Sequence, residues 1–250
     1  MKITLVQQEI VWGDKQANLA TFEKIVKELY GKTDVVVFPE MFSTGFSVDK
    51  PELAEDTDGE AIQAIKRWAR EGNFAIASSF MATENGKSYN RGFFCQPDGT
   101  IEFADKRHLF IGDEQKYFTP GNKHLDVTFR GVKFRVLICF DLRFPTWLRN
   151  KDLKYDLLLL VAEWPVNRQF AFDTLLLARA IENQAYVCAC NRVGKDNNHL
   201  SYSGGSVGID YRGRIIDKAE EGKEEIRTFT IDKQKMESFR EKFPFWKSAD

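Results

Sequence analysis

The sequence predicts a two-sheet α/β sandwich, and three observations carry that reading. Short β-rich runs alternate with amphipathic helical patterns through the first half. Two candidate hairpins fill the middle of the chain. A fully apolar run, DLLLLVA, is then followed by a long helical pattern and another strand-like run. Strands joined by helices demand a sheet covered by helices, and hairpins demand antiparallel pairing at its margins.

In chain order, ITLVQQ reads as a strand, and ANLATFEKIVKELYG reads as an amphipathic helix with Gly31 as its C-cap. VVVF is a short buried strand. AIQAIKRWAREGN repeats the helical pattern with Gly72 as its stop, and FAIASSFM returns to strand, giving β-α-β-α-β with both helices on one face of a sheet. SYNRGFFCQ, the turn PDGT and IEFADKRH form one hairpin; LDVTF, the Arg130-Gly131 turn and VKFRVLICF form a second. DLLLLVA is a central buried strand, FAFDTLLLARAIENQ a long helix, and YVCACNRVG a strand. GGSVGIDYRGRIIDK and EEIRTFTI read as antiparallel strands around a turn at Tyr211 to Gly213. The tail from about residue 232 to 250 carries three Phe and one Trp, more apolar than a free tail, and is expected to dock on its own body or on a second subunit. No repeat or linker divides the chain, so residues 1–250 read as a single domain.

Composition narrows the function. The 43% hydrophobic content suffices for a sizeable core, and a formal net charge of -1 supplies no positive field to gather nucleic acid or an anionic membrane surface. The N-terminal apolar run is too short for a signal peptide, and no segment approaches the roughly 18 apolar residues of a membrane helix. A cytoplasmic protein acting on a small molecule is the expectation. The four cysteines, at 95, 139, 188 and 190, then read as free thiols. Cys188 and Cys190 share a strand face in an apolar run, as core residues do, and the three histidines have no ligand spacing to them. No metal is expected.

Three segments end alike, with a strand-like run handing over a reactive residue. DVVVFPE presents Glu40, IEFADKRHLF presents Lys106, and VLICFDLRFP presents Cys139. A buried strand end partly desolvates a carboxylate and favours proton uptake, which suits Glu40 to a general base; an exposed loop is its other reading. Lys106 is either a surface residue or the positive charge for an oxyanion. Cys139 is a nucleophile only if a base removes its proton; otherwise it packs in the core like the other three.

Taken together, FPEMFSTGFS, ADKRHLF and ICFDLRFP resemble, in order, the three hallmark motifs of the nitrilase superfamily of carbon-nitrogen hydrolases. DEQKYFTPG, AEWPVNR, LLARAIENQAYVCACNRVG and SGGSVGID extend the resemblance over almost the whole chain. It implies a four-layer α-β-β-α sandwich. It implies Glu40 as general base, Lys106 as the cation facing the tetrahedral intermediate and Cys139 as the nucleophile that forms a thioester. Glu114 matches a second glutamate that holds Lys106 or orients water. The backbone N–H of Phe140 would share the oxyanion with Lys106. No cofactor is implied, the partners being an amide substrate and water.

FSTGFS and CFDLRFP resemble the omega-amidase branch, whose substrates are 2-oxo dicarboxylic acid monoamides such as 2-oxoglutaramate and 2-oxosuccinamate. The alternative is another amide, N-carbamoyl or nitrile hydrolase with the same triad. Outside the hydrolases stand a silent binding scaffold and a redox protein using Cys188 and Cys190. A substrate carboxylate needs a cation; Arg143, four residues after Cys139, either clamps it or ties its own turn. Among the aromatics beside the motifs, Phe42 and Trp164 are the expected apolar walls. Relatives commonly dimerise near the nucleophile, so a homodimer is expected, with the helix FAFDTLLLARAIEN and the tail as its surface.

Overall fold

The computed structural model describes residues 1–248. Its first half follows the alternating pattern. Strand β1 (Lys2–Gln7) leads to helix α1 (Lys15–Glu28), β2 (Val35–Val37), helix α2 (Glu60–Gly72) and β3 (Ala75–Glu84). β1, β2 and β3 pair in parallel, and β3 turns back into β4 (Lys87–Cys95) and β5 (Ile101–Asp105). After the short helix α3 (Asp113–Tyr117) a second sheet begins with β6 (Leu125–Phe129) and β7 (Val132–Ile138). It continues through helix α4 (Pro145–Leu148), β8 (Leu157–Ala162), helix α5 (Gln169–Asn183) and β9 (Tyr186–Asn191). A small ladder, β10 (Val193–Lys195) with β11 (Ser201–Ser203), precedes β12 (Val207–Ile209), β13 (Ile215–Lys218), β14 (Glu225–Thr230) and helix α6 (Lys233–Lys242).

The large sheets have the orders β14-β1-β2-β3-β4-β5 and β13-β12-β9-β8-β7-β6. Their period-two alternation divides the core. Val35 and Val37 on β2 join the core between the sheets, in one cluster with residues of β7, β8 and β9, whereas Val36 packs outward with Phe22, Val26, Ile62 and Trp68 of α1 and α2. A strand buried on both faces reads as continuous valine for this reason. On the far side Phe172, Leu176 and Ala180 of α5 cover the second sheet, completing the α-β-β-α sandwich.

Three elements depart from the sequence reading. α1 is capped at Leu29, two residues before Gly31. Gly72 does not stop α2 by turning left-handed; Asn73 does so at φ +51°, and the absent side chain at Gly72 instead makes room for the Phe74 ring, whose nearest atom would lie 2.2 Å from an added Cβ. The run EEIRTFTI does not stay beside β13. As β14 it crosses to the first sheet and pairs antiparallel with β1, placing Thr230 opposite Lys2. Its alternation explains the position: Phe229 points between the sheets over Gly208, while Ile226, Thr228 and Thr230 on the opposite face are exposed, as an edge strand allows.

The apolar tail residues are partly docked. Phe239 of α6 lies 5.1 Å from the Tyr211 ring, and the buried Arg240 donates to Asp156 at 2.9 Å and to the carbonyls of Gln184 and Tyr155. Phe243 and Phe245 remain about half exposed. Residues 249–250 lie outside the described residues. No helix among the described residues is long and apolar enough to cross a membrane.

Candidate active site

Four reactive side chains follow the carboxyl ends of strands or the loop beyond them, and the sandwich brings these ends together. Glu40 comes three residues after β2. The path is fixed by Phe38 N–H on Ala77 C=O, by the Ser78 hydroxyl on Pro39 C=O, and by Met41, whose φ of +45° reverses the chain at once. Lys106 follows β5, its N–H donating to Asn90 C=O at 2.8 Å and its C=O accepting from Gly121 N–H at 2.8 Å. Gly121 is needed there, because a Cβ would lie 2.1 Å from Asp105 O. Glu114 rides on α3. Cys139 follows β7 at φ +42° and opens a 3-10 turn, so its side chain leaves the line of the strand. The Asp141 carboxylate braces that turn, accepting from Ile138 N–H at 3.3 Å, and from His108 N–H at 3.0 Å and Nδ1 at 2.7 Å. One carboxylate thus links the Cys139 turn to the Lys106 segment.

The three charged groups form one buried cluster. Lys106 Nζ donates to Glu40 Oε1 at 2.9 Å and to Glu114 Oε1 and Oε2 at 3.0 and 2.9 Å. Asn90 Nδ2 lies 2.7 Å from Glu40 Oε1 and 2.9 Å from Glu114 Oε1, and the backbone N–H of Phe110 closes on Glu114 Oε2. Glu40 Oε2 accepts from the Glu163 N–H at 3.0 Å, and the Cys139 thiol donates to the Glu163 C=O at 3.8 Å.

These surroundings set the protonation states. Burial works against the Lys106 charge, but the carboxylates of Glu114 and Glu40 outweigh it and push its pKa up, so the ammonium is permanent. Burial raises the Glu114 pKa, with Lys106 pulling the other way. Burial, then the Glu40 charge, holds the Cys139 thiol well above its ordinary range against the pull of Lys106. The resting thiol is therefore neutral and needs a base at the moment of attack.

These groups open on a cavity of about 340 Å³, at the small end of the roughly 300–1,000 Å³ typical of small-molecule sites. Its lining includes Glu40, Lys106, Glu114, Cys139, Phe140, Arg143 and Trp164, all read as site residues from the sequence. The Arg143 guanidinium lies 5.0 Å from the Trp164 ring and 5.9 Å from the Phe140 ring, with no carboxylate within ion-pair distance among the described residues. Phe42 is a correction. It is fully buried among Phe22, Phe38 and Phe93 on the helix side of the first sheet, because the reversal at Met41 turns it away from the cavity. Phe46 takes the expected place on the wall, 5.5 Å from Lys106 Nζ. Sequence reasoning missed Asn90, Glu163, Arg168 and Arg192. The available signal was a polar residue inside or ending an apolar strand, as in SYNRGFF and LLVAEW.

The fold and this cluster define a carbon-nitrogen hydrolase. The carbon-nitrogen hydrolase family model matches residues 2–241, and the chain belongs to that family, within the nitrilase superfamily. Its relatives include the omega-amidase YafV of Escherichia coli, 42% identical with 100% of this chain and 97% of that one aligned. The 2-oxoglutaramate amidase of Bacillus subtilis is 35% identical over 97% of this chain and 95% of its own. Among solved structures, the CN-hydrolase superfamily protein XC1258 of Xanthomonas campestris superposes with a TM-score of 0.97 at 36% identity, over 100% and 97% of the two chains. The protein is a hydrolase acting on carbon-nitrogen bonds.

Proposed function

We propose that the protein releases ammonia from the terminal amide of 2-oxo dicarboxylic acid monoamides, 2-oxoglutaramate and 2-oxosuccinamate, through a thioester on Cys139. One observation carries the reading. The small cavity holds a thiol, carboxylates and an ammonium together with Arg143, a cation to which the described residues supply no carboxylate. The names of the relatives in E. coli and B. subtilis point the same way.

Glu40 takes the thiol proton as Sγ attacks the amide carbon. The Lys106 ammonium, which in the resting site bonds Glu40 Oε1 and both Glu114 oxygens, supplies positive charge to the oxygen that becomes negative, with the Phe140 N–H as a hydrogen-bond donor to it. Glu40 returns its proton to the leaving nitrogen, and ammonia departs. Water gives a proton to Glu40 as its oxygen adds to the thioester carbon; the C–S bond then breaks, the proton passes from Glu40 to Sγ, and the carboxylic acid is freed. Glu114 keeps Lys106 in place through both half-reactions. Arg143 clamps the remote carboxylate through two hydrogen bonds, while Trp164 and Phe46 wall the chain between.

The chain functions as one hydrolase domain over residues 1–250, in the cytoplasm and as a homodimer. The exposed Ile181 of α5 and the half-exposed Phe243 and Phe245 support that assembly. Ammonia release across a substrate panel tests the activity. Rapid turnover of 2-oxoglutaramate with little action on nitriles or N-carbamoyl compounds is expected, and the reverse pattern overturns the reading. Intact mass of the enzyme quenched during turnover should show an acyl adduct that Cys139→Ala abolishes.

A further inference from the structure

Glu163, the first residue after β8, touches the reacting groups only through its peptide unit. The N–H fixes Glu40 Oε2 at 3.0 Å, and the C=O receives the Cys139 thiol at 3.8 Å. Its side chain points elsewhere and is 1% exposed. Oε2 accepts from Arg192 Nη1 at 3.0 Å, and Oε1, also buried, has no hydrogen-bond partner among the described residues.

Arg192 is fully buried. Its remaining donors reach the carbonyls of Ile10 at 2.8 Å, Val193 at 3.1 Å and Lys195 at 3.3 Å, and its guanidinium lies 4.8 Å from the Tyr202 ring. The pair therefore anchors the residue after β8 to the loop after β1 and to β10. Burying two charges costs more than their attraction returns unless the geometry is tight, so apolar side chains would fill this place at no loss of stability. A half-satisfied carboxylate placed one peptide away from both Glu40 and Cys139 calls for another account.

We infer that Glu163 is a positioning residue of the hydrolysis. Its carboxylate, charged and fixed by Arg192, holds the peptide that aims Glu40 at Cys139. The inference rests on Glu40 acting as base toward Cys139 and not on the identity of the amide. Burial pushes the Glu163 pKa up to about 7; Arg192 opposes this, and Glu40 and Asp196, from the loops after β2 and β10, add to it. The negative charge is then present above neutral pH and fades below it.

The test is steady-state kinetics of Glu163→Gln and Glu163→Leu from pH 5.5 to 9, on whichever amide the wild-type enzyme turns over, with Tm measured alongside. E163Q keeps the shape and loses the charge. Its kcat should fall about ten- to a hundredfold with KM within about twofold, as a misaimed base predicts. The wild-type kcat should decline as pH drops through about 7, and E163Q should lack that decline. E163L should lose activity further; if it does not fold, E163Q decides. Wild-type kcat and pH profile in E163Q overturn the inference. So does a loss of kcat that merely tracks Tm with the profile unchanged. Absence of any acyl adduct on wild-type Cys139 overturns the thioester reading instead, and this inference with it.

Discussion

Cys139 and Cys190 are both buried thiols at or near the end of a parallel strand, and only one is built to react. Cys190 sits inside β9 and donates across the sandwich to the carbonyls of Val6 at 3.3 Å and Val37 at 3.2 Å, its pKa pushed up to about 12 mainly by burial. Cys139 is raised by burial too, and the adjacent Glu40 raises it further. Burial and proton affinity do not distinguish a nucleophile from a core thiol. The difference lies in the left-handed turn that presents Cys139 to a cavity, and in the carboxylate and ammonium that meet it there.

Exchanging the features of the two thiols one at a time breaks the comparison. Cys139→Ala should lower turnover by on the order of 10⁴-fold or more while the chain stays folded, as ammonia release and thermal unfolding will show. Glu40→Gln, which keeps the shape and removes the base, should cost roughly 10²- to 10⁴-fold in kcat. Retention of wild-type rates by either variant would place the chemistry elsewhere.

Arg143→Met leaves the thiol and its base intact and removes the cation. KM for 2-oxoglutaramate should rise about 10- to 100-fold, the loss of a charge-assisted contact, with little change for an uncharged amide. An equal effect on both would return Arg143 to a structural role in its turn.

Stability against pH separates the charged neighbourhood from the apolar one. Glu163 has a folded pKa near 7 against an ordinary value of 4.5, so the fold favours its protonated form. Its contribution to stability is present in full below pH 4.5 and is lost as pH rises through 7, to the extent of about 3 kcal/mol. E163Q should therefore gain on the wild type in Tm from pH 5 to pH 8, and parallel curves would refute the assignment. Cys190→Ala should show the smallest effect, costing about 1 kcal/mol of stability and leaving kcat unchanged. A large loss of turnover in that variant would revive the redox reading.

Much of the fold was legible because hydrophobic period reports burial directly. DLLLLVA lacks alternation, and β8 is buried on both faces in the middle of its sheet. The PDGT and Arg130-Gly131 turns each join neighbouring antiparallel strands. Sheet membership was less legible: a half-polar strand such as β14 can edge either sheet, and the choice depends on whether Phe229 finds the space over Gly208. The motif residues were legible at strand ends, but Phe42 was misplaced, because one left-handed residue at Met41 reverses the chain and period alone does not show it.

The sequence by itself determined the α/β sandwich pattern, the family and the residue types at Glu40, Lys106, Glu114 and Cys139, because each sits in a local run whose pattern needs no distant partner. Only the tertiary structure decided which polar groups share the charge of Lys106, that Asn90 bridges the two glutamates, and that Glu163 presents its peptide to the site and its carboxylate to Arg192. The physical reason is separation along the chain. Glu40 and Glu163 lie 123 residues apart, and their hydrogen bond exists only because two sheets pack face to face with their strand ends in register.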